Sequence, residues 1–338
     1  MTNPEVEGEE LYIGDAIHFF LDAKRAGGRS ERTIQEYRKK LDLFQRWVAA
    51  STVDKDAVDA PYLYIGAGEV ETYIVHLKER GLSDTSRKGH LAVLRSFFST
   101  LNRRMKLPDP TDDLDEIRFH QRAPKRNYLT KREAEMLLSP LVAATRDETE
   151  ARAEPEDVKA ANRRRTNRAL AARDHAAFSA MMYAGLRIEE TADLTPEDLF
   201  FRRGEEEVRV AKGKGNKERL VPMGPKLRKS LRRYLKVRED LVPAGATPKS
   251  HLFLNEKGKR VTENTLRRRL YKWVRQSPIK KQDIKPHDLR RTFGTWYLQD
   301  NPGQFVELAE LMGHSDLSQV MKYALSEEQR VRAGVTRL

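Results

Sequence analysis

Two imidazoles, a guanidinium and a phenol fall within residues 285–323: His287, Arg290, His314 and Tyr323. Together they supply groups that neutralise a phosphate, groups that move protons and one oxygen nucleophile, a metal-free set for breaking a phosphodiester bond. Taken singly, each is as readily a structural residue. Two more positions add to the set. Arg187 is followed three residues later by Glu190, a spacing that allows an ion pair fixing the guanidinium. Lys212, Lys214 and Lys217 crowd a short stretch with two glycines, which suits a phosphate or a DNA groove, or an ordinary solvated turn.

These side chains need elements to hold them. Pro286 suits the first position of a helix, which places His287 and Arg290 three apart on one face. Residues 304–312 read as a helix burying Phe305, Leu308 and Met312 and stopped by Gly313, so His314 sits at a helix end. Ser315 or Asp316 then caps a helix with Leu317, Val320 and Met321 inward and Tyr323 at the edge of that stripe. A buried helix over 173–184 ends at Gly185 in a left-handed C-cap, with Arg187 just beyond. Glu206–Val210 and Glu218–Pro222 make a hairpin with the lysine-rich stretch at its tip.

Further helices are expected from Thr130 to Leu138, over 225–240 and over 262–275. Residues 142–170, Ala-rich and highly charged, read as an extended helix or a partly ordered insertion. Residues 11–106 read as a bundle of four helices. The second is the clearest, with Ser30 as N-cap and Ile34, Tyr37, Leu41, Phe44 and Val48 in a single stripe. Arg87, Lys88 and His90 lie in the first turns of the fourth and are read as part of a basic polar face. Residues 107–127, with Pro108, Pro110 and a run of acids, read as a linker. The expected domains are therefore 11–106, a linker over 107–127, and 128–338.

The chain of 338 residues has 64 Lys and Arg against 51 Asp and Glu, a formal charge of +13. Positions 1–126 are balanced at 21 of each sign, whereas 127–338 hold 43 basic and 30 acidic residues. A polyanionic partner, above all nucleic acid, fits that excess. The stretch Met1–Glu10 is acidic and has no apolar core, unlike a signal peptide, and no apolar run approaches the roughly 20 residues of a membrane span. The absence of cysteine excludes disulfides and thiolate metal sites and fits a cytoplasmic setting.

Five ordered segments resemble the tyrosine recombinase, or phage integrase, family: Gly185-Leu-Arg187-Ile-Glu-Glu190, Gly213 to Pro222, His287-Asp-Leu-Arg290, Leu311-Met-Gly-His314-Ser, and Tyr323 nine residues on. The resemblance covers most of 127–338, and the helical N-terminal part looks like the family's SAM-like core-binding domain. It implies a mainly α fold with a small antiparallel β-sheet: a helical-bundle DNA-binding domain followed by a mixed α/β catalytic domain. It further implies site-specific DNA strand cleavage and rejoining through a covalent 3′-phosphotyrosyl intermediate, with Tyr323 as nucleophile and His287 as acid/base. Arg187, Arg290 and His314 would stabilise the phosphate, and Lys214 would protonate the leaving 5′ oxygen. No cofactor and no metal is expected.

The implied partners are double-stranded DNA and further copies of the chain, a tetramer in the DNA synapse and weakly associating without it. The resemblance leaves room for accessory DNA-bending proteins. A final helix from Ser326 to Arg332 would dock on a neighbouring protomer. Two departures stand out: the long charged stretch over 142–170, and Arg291 where many relatives have His or Lys. Two other readings use the same residues: a sequence-specific DNA-binding protein without catalysis, and a type IB topoisomerase-like enzyme that nicks and reseals.

Overall fold

The computed structural model describes residues 11–114, 117–119, 128–146, 158–202, 204–211, 218–243, 251–313, 317 and 320–321. The chain divides into two compact units, Met1–Lys125 and Arg126–Leu338.

The first unit holds α1 (Ile13–Ala26), α2 (Glu31–Thr52), a 3-10 turn at Tyr62–Tyr64, α3 (Ala67–Glu79) and α4 (Asp84–Met105). Ser30 and Ser83 cap α2 and α4, each accepting the backbone N–H three residues on. Such caps are worth about 1 kcal/mol each. Ile34, Leu41, Phe44 and Val48 of α2 are fully buried, and Tyr37 packs half-buried beside them. Edge-on aromatic pairs, Phe44 with Tyr73 at 5.0 Å and Phe97 with Phe98 at 4.9 Å, fill the centre.

Two features of this unit differ from expectation. Arg87 and His90 do not join a polar face: both are buried, Arg87 donating to Asp84 at 2.6 Å and His90 Nδ1 lying 3.1 Å from the Tyr73 hydroxyl. Helical phase explains this, because both share a face with Leu91 and Leu94. The described part of 107–119 packs on the same core through Leu107, Leu114, Ile117 and Phe119, with the Tyr62 hydroxyl donating to the Pro108 carbonyl.

The second unit is built round a long helix. Its elements are α5 (Lys131–Ala144), α6 (Val158–Tyr183), α7 (Ile188–Asp193), β1 (Leu199–Arg202), β2 (Glu205–Val210), β3 (Arg219–Pro222), α8 (Pro225–Leu235), α9 (Glu263–Gln276), α10 (Pro286–Asp300) and α11 (Phe305–Met312). The sheet is antiparallel in the order β1-β2-β3, with Leu199 opposite Val208 and Val208 opposite Val221, so one face feeds the core.

The expected helix over 173–184 is the buried end of α6. Ala-rich sequence carries the helix back to Val158, and residues 171–182 are buried without interruption. A helix enclosed all round is the centre of its domain. α5 runs past Leu138 and through Pro140 to Ala144, held by buried Leu137 and Leu141. The sheet gains a strand, β1, that the hairpin reading lacked. Of the three residues expected inward after Gly313, Val320 is buried but Leu317 and Met321 are exposed, so their stripe is narrower than a 3-4 pattern implies.

Candidate active site

Gly185, just beyond α6, adopts φ +63°. A Cβ there would lie 2.4 Å from the Phe293 ring, so both the turn and the contact demand glycine. The turn sets Arg187 at the N-cap of α7 in an extended conformation. Glu190 folds back on it, one carboxylate oxygen taking the Arg187 backbone N–H at 2.8 Å and the other taking Nη1 at 2.6 Å. The pair read from the sequence therefore forms.

Arg290 enters from α10. Lys285 caps that helix through a bond from its N–H to the Asp288 carboxylate at 2.9 Å, and Pro286 takes the first position. Arg290 is almost wholly buried and reaches back to the turn, donating to the Gly185 carbonyl at 2.5 Å and the Met312 carbonyl at 2.6 Å. Its guanidinium lies 3.7 Å from Glu190. His287, one turn earlier, keeps an exposed edge. Crowding by surrounding protein, then the charges of Arg291, Arg290 and Arg187, lower its pKa from the ordinary value and favour the neutral imidazole.

A third arginine completes the cluster. Arg219, the first residue of β3, forks both Glu190 oxygens at 2.8 and 3.1 Å. It also donates through Nε to the Leu311 carbonyl at 2.8 Å, and Arg187 donates to the Gly313 carbonyl at 3.0 Å. Three consecutive carbonyls at the C-terminus of α11 thus each accept from a different arginine: Leu311 from Arg219, Met312 from Arg290, Gly313 from Arg187. Those are the carbonyls a helix end leaves without partners, and cations are favoured there. Gly313, at φ +61°, ends α11 as the sequence suggested.

Glu190 is the shared counter-charge. Burial alone would raise its pKa, but Arg219 and then Arg187 outweigh burial and bring it down to about 2. The result is a rigid cationic surface: one carboxylate against three guanidinia, with every member held by more than one bond. Arg187 is the most open of the three, its side chain 22 % exposed against 10 % for Arg219 and 2 % for Arg290. The structure thus brings Arg187, His287 and Arg290 together. Lys214, His314 and Tyr323 lie outside the described residues, as do the hairpin tip over 212–217 and the helix expected from Ser326. Arg219 was not singled out from the sequence. The signal was its place in the Gly213–Pro222 segment, where it reads as one more surface arginine.

Residues 152–330 match the phage integrase family. This chain belongs to the phage integrase family. Residues 17–105 match the phage integrase N-terminal SAM-like domain. Over 320 residues the chain is 30% identical to the tyrosine recombinase XerC of Chromobacterium violaceum, covering 94% of this chain and 92% of that protein. Among solved structures, it resembles the XerH site-specific recombinase bound to difH substrate, with a TM-score of 0.63 and 20% identity over 93% of this chain and 81% of the other. It also resembles the Tn1549 transposon integrase in complex with circular intermediate DNA, with a TM-score of 0.64 and 18% identity over 91% and 94% of the two chains. At those identities the two structures speak for the fold. The integrase fold places the arginine cluster at the junction of α7, β3, α10 and the end of α11.

Proposed function

We propose that this chain is a tyrosine-type site-specific DNA recombinase whose catalytic set is Arg187, Lys214, His287, Arg290, His314 and Tyr323, carried by a catalytic domain over 128–338. The enzyme class rests on family membership and on likeness to XerC along nearly the whole chain. The observation that carries the site is the cluster in which Arg187 and Arg290 share Glu190 and the α11 carbonyls, with His287 one turn from Arg290.

In this reading the Tyr323 oxygen attacks the scissile phosphorus. A Tyr–O–P bond forms, the P–O5′ bond breaks, and a 5′-hydroxyl departs. A phenol of ordinary pKa near 10 is ionised in roughly one copy in a thousand at pH 7. Its proton needs an acceptor, and neutral His287 supplies one. Arg187 reaches the phosphate oxygens directly. Arg290 acts from below as a fixed charge, since charge held in place stabilises a transition state without reorganisation cost. Lys214 gives the leaving oxygen its proton, and His314, directly after Gly313, donates to the phosphate. Attack by the 5′-hydroxyl of another strand reverses these steps. The phosphotyrosyl link keeps the bond energy, so the cycle balances without a co-reactant.

The partner is duplex DNA, which the helical unit over 11–106 and the catalytic domain each contact. Four copies act on two sites in the cytoplasm. The test is a plasmid carrying two copies of a site recovered by sequencing DNA trapped on the protein. Recombination gives a deletion or inversion product. Relaxation without exchange would support the topoisomerase-like reading, and binding without any covalent adduct would support the non-catalytic one.

A further inference from the structure

Away from the arginine cluster, the polar groups inside α6 divide sharply. Asp174 is fully enclosed yet well served, accepting from Arg173 at 3.0 Å, Arg269 at 2.5 Å and Trp273 Nε1 at 2.9 Å. On the adjoining face, His175 Nδ1 and Ser179 Oγ are buried with no hydrogen-bond partner among the described residues. The two residues are 8% and 1% exposed. Buried polar atoms are nearly always bonded, so two on successive turns require a reason. Both line a cavity of about 430 Å³, within the range of small-molecule sites.

The cavity has a defined chemical layout. His175, Ser179 and Tyr183 recur every fourth residue and make its floor from one face of α6. α5 supplies an apolar wall of Leu138, Val142 and Ala143. The rim is cationic: Lys226, Lys229 and Arg233 from α8, and Arg146 just past α5. Glu135 is the sole carboxylate among the described lining residues, and Lys226 engages it at 3.1 Å.

We propose that this cavity is a binding site for a small organic anion with an apolar body, a phosphate or carboxylate of aryl or alkyl type. The head group meets Arg233 and Lys229, and the body lies along Leu138 and Val142. Ser179 and His175 complete the floor with hydrogen bonds. Burial, and then the charge of Arg233, lower His175 to about 4, so it offers a neutral imidazole rather than a competing charge. A duplex backbone would meet the rim lysines but would leave the apolar wall of Leu138 and Val142 without a partner. The site is separate from the arginine cluster but tied to it. Tyr183 ends α6, and two residues on, the Gly185 carbonyl accepts from Arg290.

The test needs no DNA and is independent of the recombinase reading. Phenyl phosphate, benzoate and inorganic phosphate are titrated calorimetrically into the full chain. Saturable one-site binding of phenyl phosphate or benzoate, at least about tenfold tighter than inorganic phosphate, is expected, since the apolar body adds more than 1.4 kcal/mol. Arg233→Gln and Ser179→Ala should each weaken it by about tenfold, while Arg187→Gln leaves it unchanged. Absence of saturable binding by either organic anion overturns the proposal. So does binding no tighter than that of inorganic phosphate, or binding that Arg187→Gln abolishes and Arg233→Gln spares. Ser179→Ala provides a second reading should Arg233→Gln disturb folding.

Discussion

Arg219 lies 2.8 Å from Glu190, on the carboxylate oxygen that also takes the Arg187 backbone N–H. This links β3 to the turn after α6, and through the Leu311 carbonyl it links both to the end of α11. Removing Arg219 strips Glu190 of its two-point partner and leaves it only Arg187 and the more distant Arg290, a loss of about 3 kcal/mol at most. Arg219→Ala should therefore lower stability by up to that amount and slow DNA cleavage at least tenfold, although Arg219 is assigned no contact with phosphate. Arg219→Lys keeps the charge without the fork, and should recover stability more than cleavage. Urea unfolding and single-turnover cleavage check both.

Two buried groups with large shifts contribute to the pH dependence of folding, in different windows. His175 is held down at about 4, so the folded state resists a proton that the unfolded state accepts. Its contribution is complete above 6.5 and is lost as pH falls toward 4. Glu190 is held near 2, and its contribution is complete above the ordinary carboxylate range and lost as pH falls through that range toward 2. Urea midpoints should fall in both windows. His175→Gln should flatten the upper one and Glu190→Gln the lower.

The pH profile of cleavage should report His287. Its pKa is lowered by burial and by Arg291, Arg290 and Arg187, so activity should hold as pH drops to 6.5 and decline only below that. His287→Ala should lose about 10²–10⁴-fold in rate, the usual worth of a general base, along with the acid limb. A wild-type midpoint above 6.5 would count against its role as proton acceptor.

Gly185→Ala forces a side chain into φ +63° and against the Phe293 ring. It should cost about 2 kcal/mol or more in stability. Because the Gly185 carbonyl anchors Arg290, cleavage should fall further than stability alone explains. Gly313→Ala should act in the same direction, since its φ is +61° and its Cβ would fall 2.8 Å from the Arg219 guanidinium that Glu190 and the Leu311 carbonyl hold in place.

What could be read from the sequence was local. Ser30, Thr130, Gly185, Pro286 and Gly313 punctuate helices through their own backbone chemistry, and each does so in the structure. The Arg187–Glu190 pair spans three residues and was legible for the same reason. Arg219 and Glu190 lie 29 residues apart and meet only through tertiary folding, so that arginine stayed hidden. The α11 carbonyls could not be foreseen as acceptors, because backbone atoms carry no sequence signal. The part of α6 over 158–172 stayed open between an extended helix and a partly ordered insertion, because its charged residues over 159–168 mark a solvated face rather than a break. Arg87 and His90 misled in the opposite direction, as charge on a sequence does not reveal which residues a bundle turns inward.

The central claim concerns Tyr323, and it is tested most directly by mapping the covalent bond. A library of nicked duplexes is incubated with the chain, protein–DNA adducts that survive denaturation are isolated, and the attached peptide and strand end are identified. The account predicts one adduct, a 3′-phosphate on Tyr323, absent from Tyr323→Phe and sharply reduced in Arg187→Gln. Undiminished adduct formation by Tyr323→Phe, or attachment through any other residue, would contradict it.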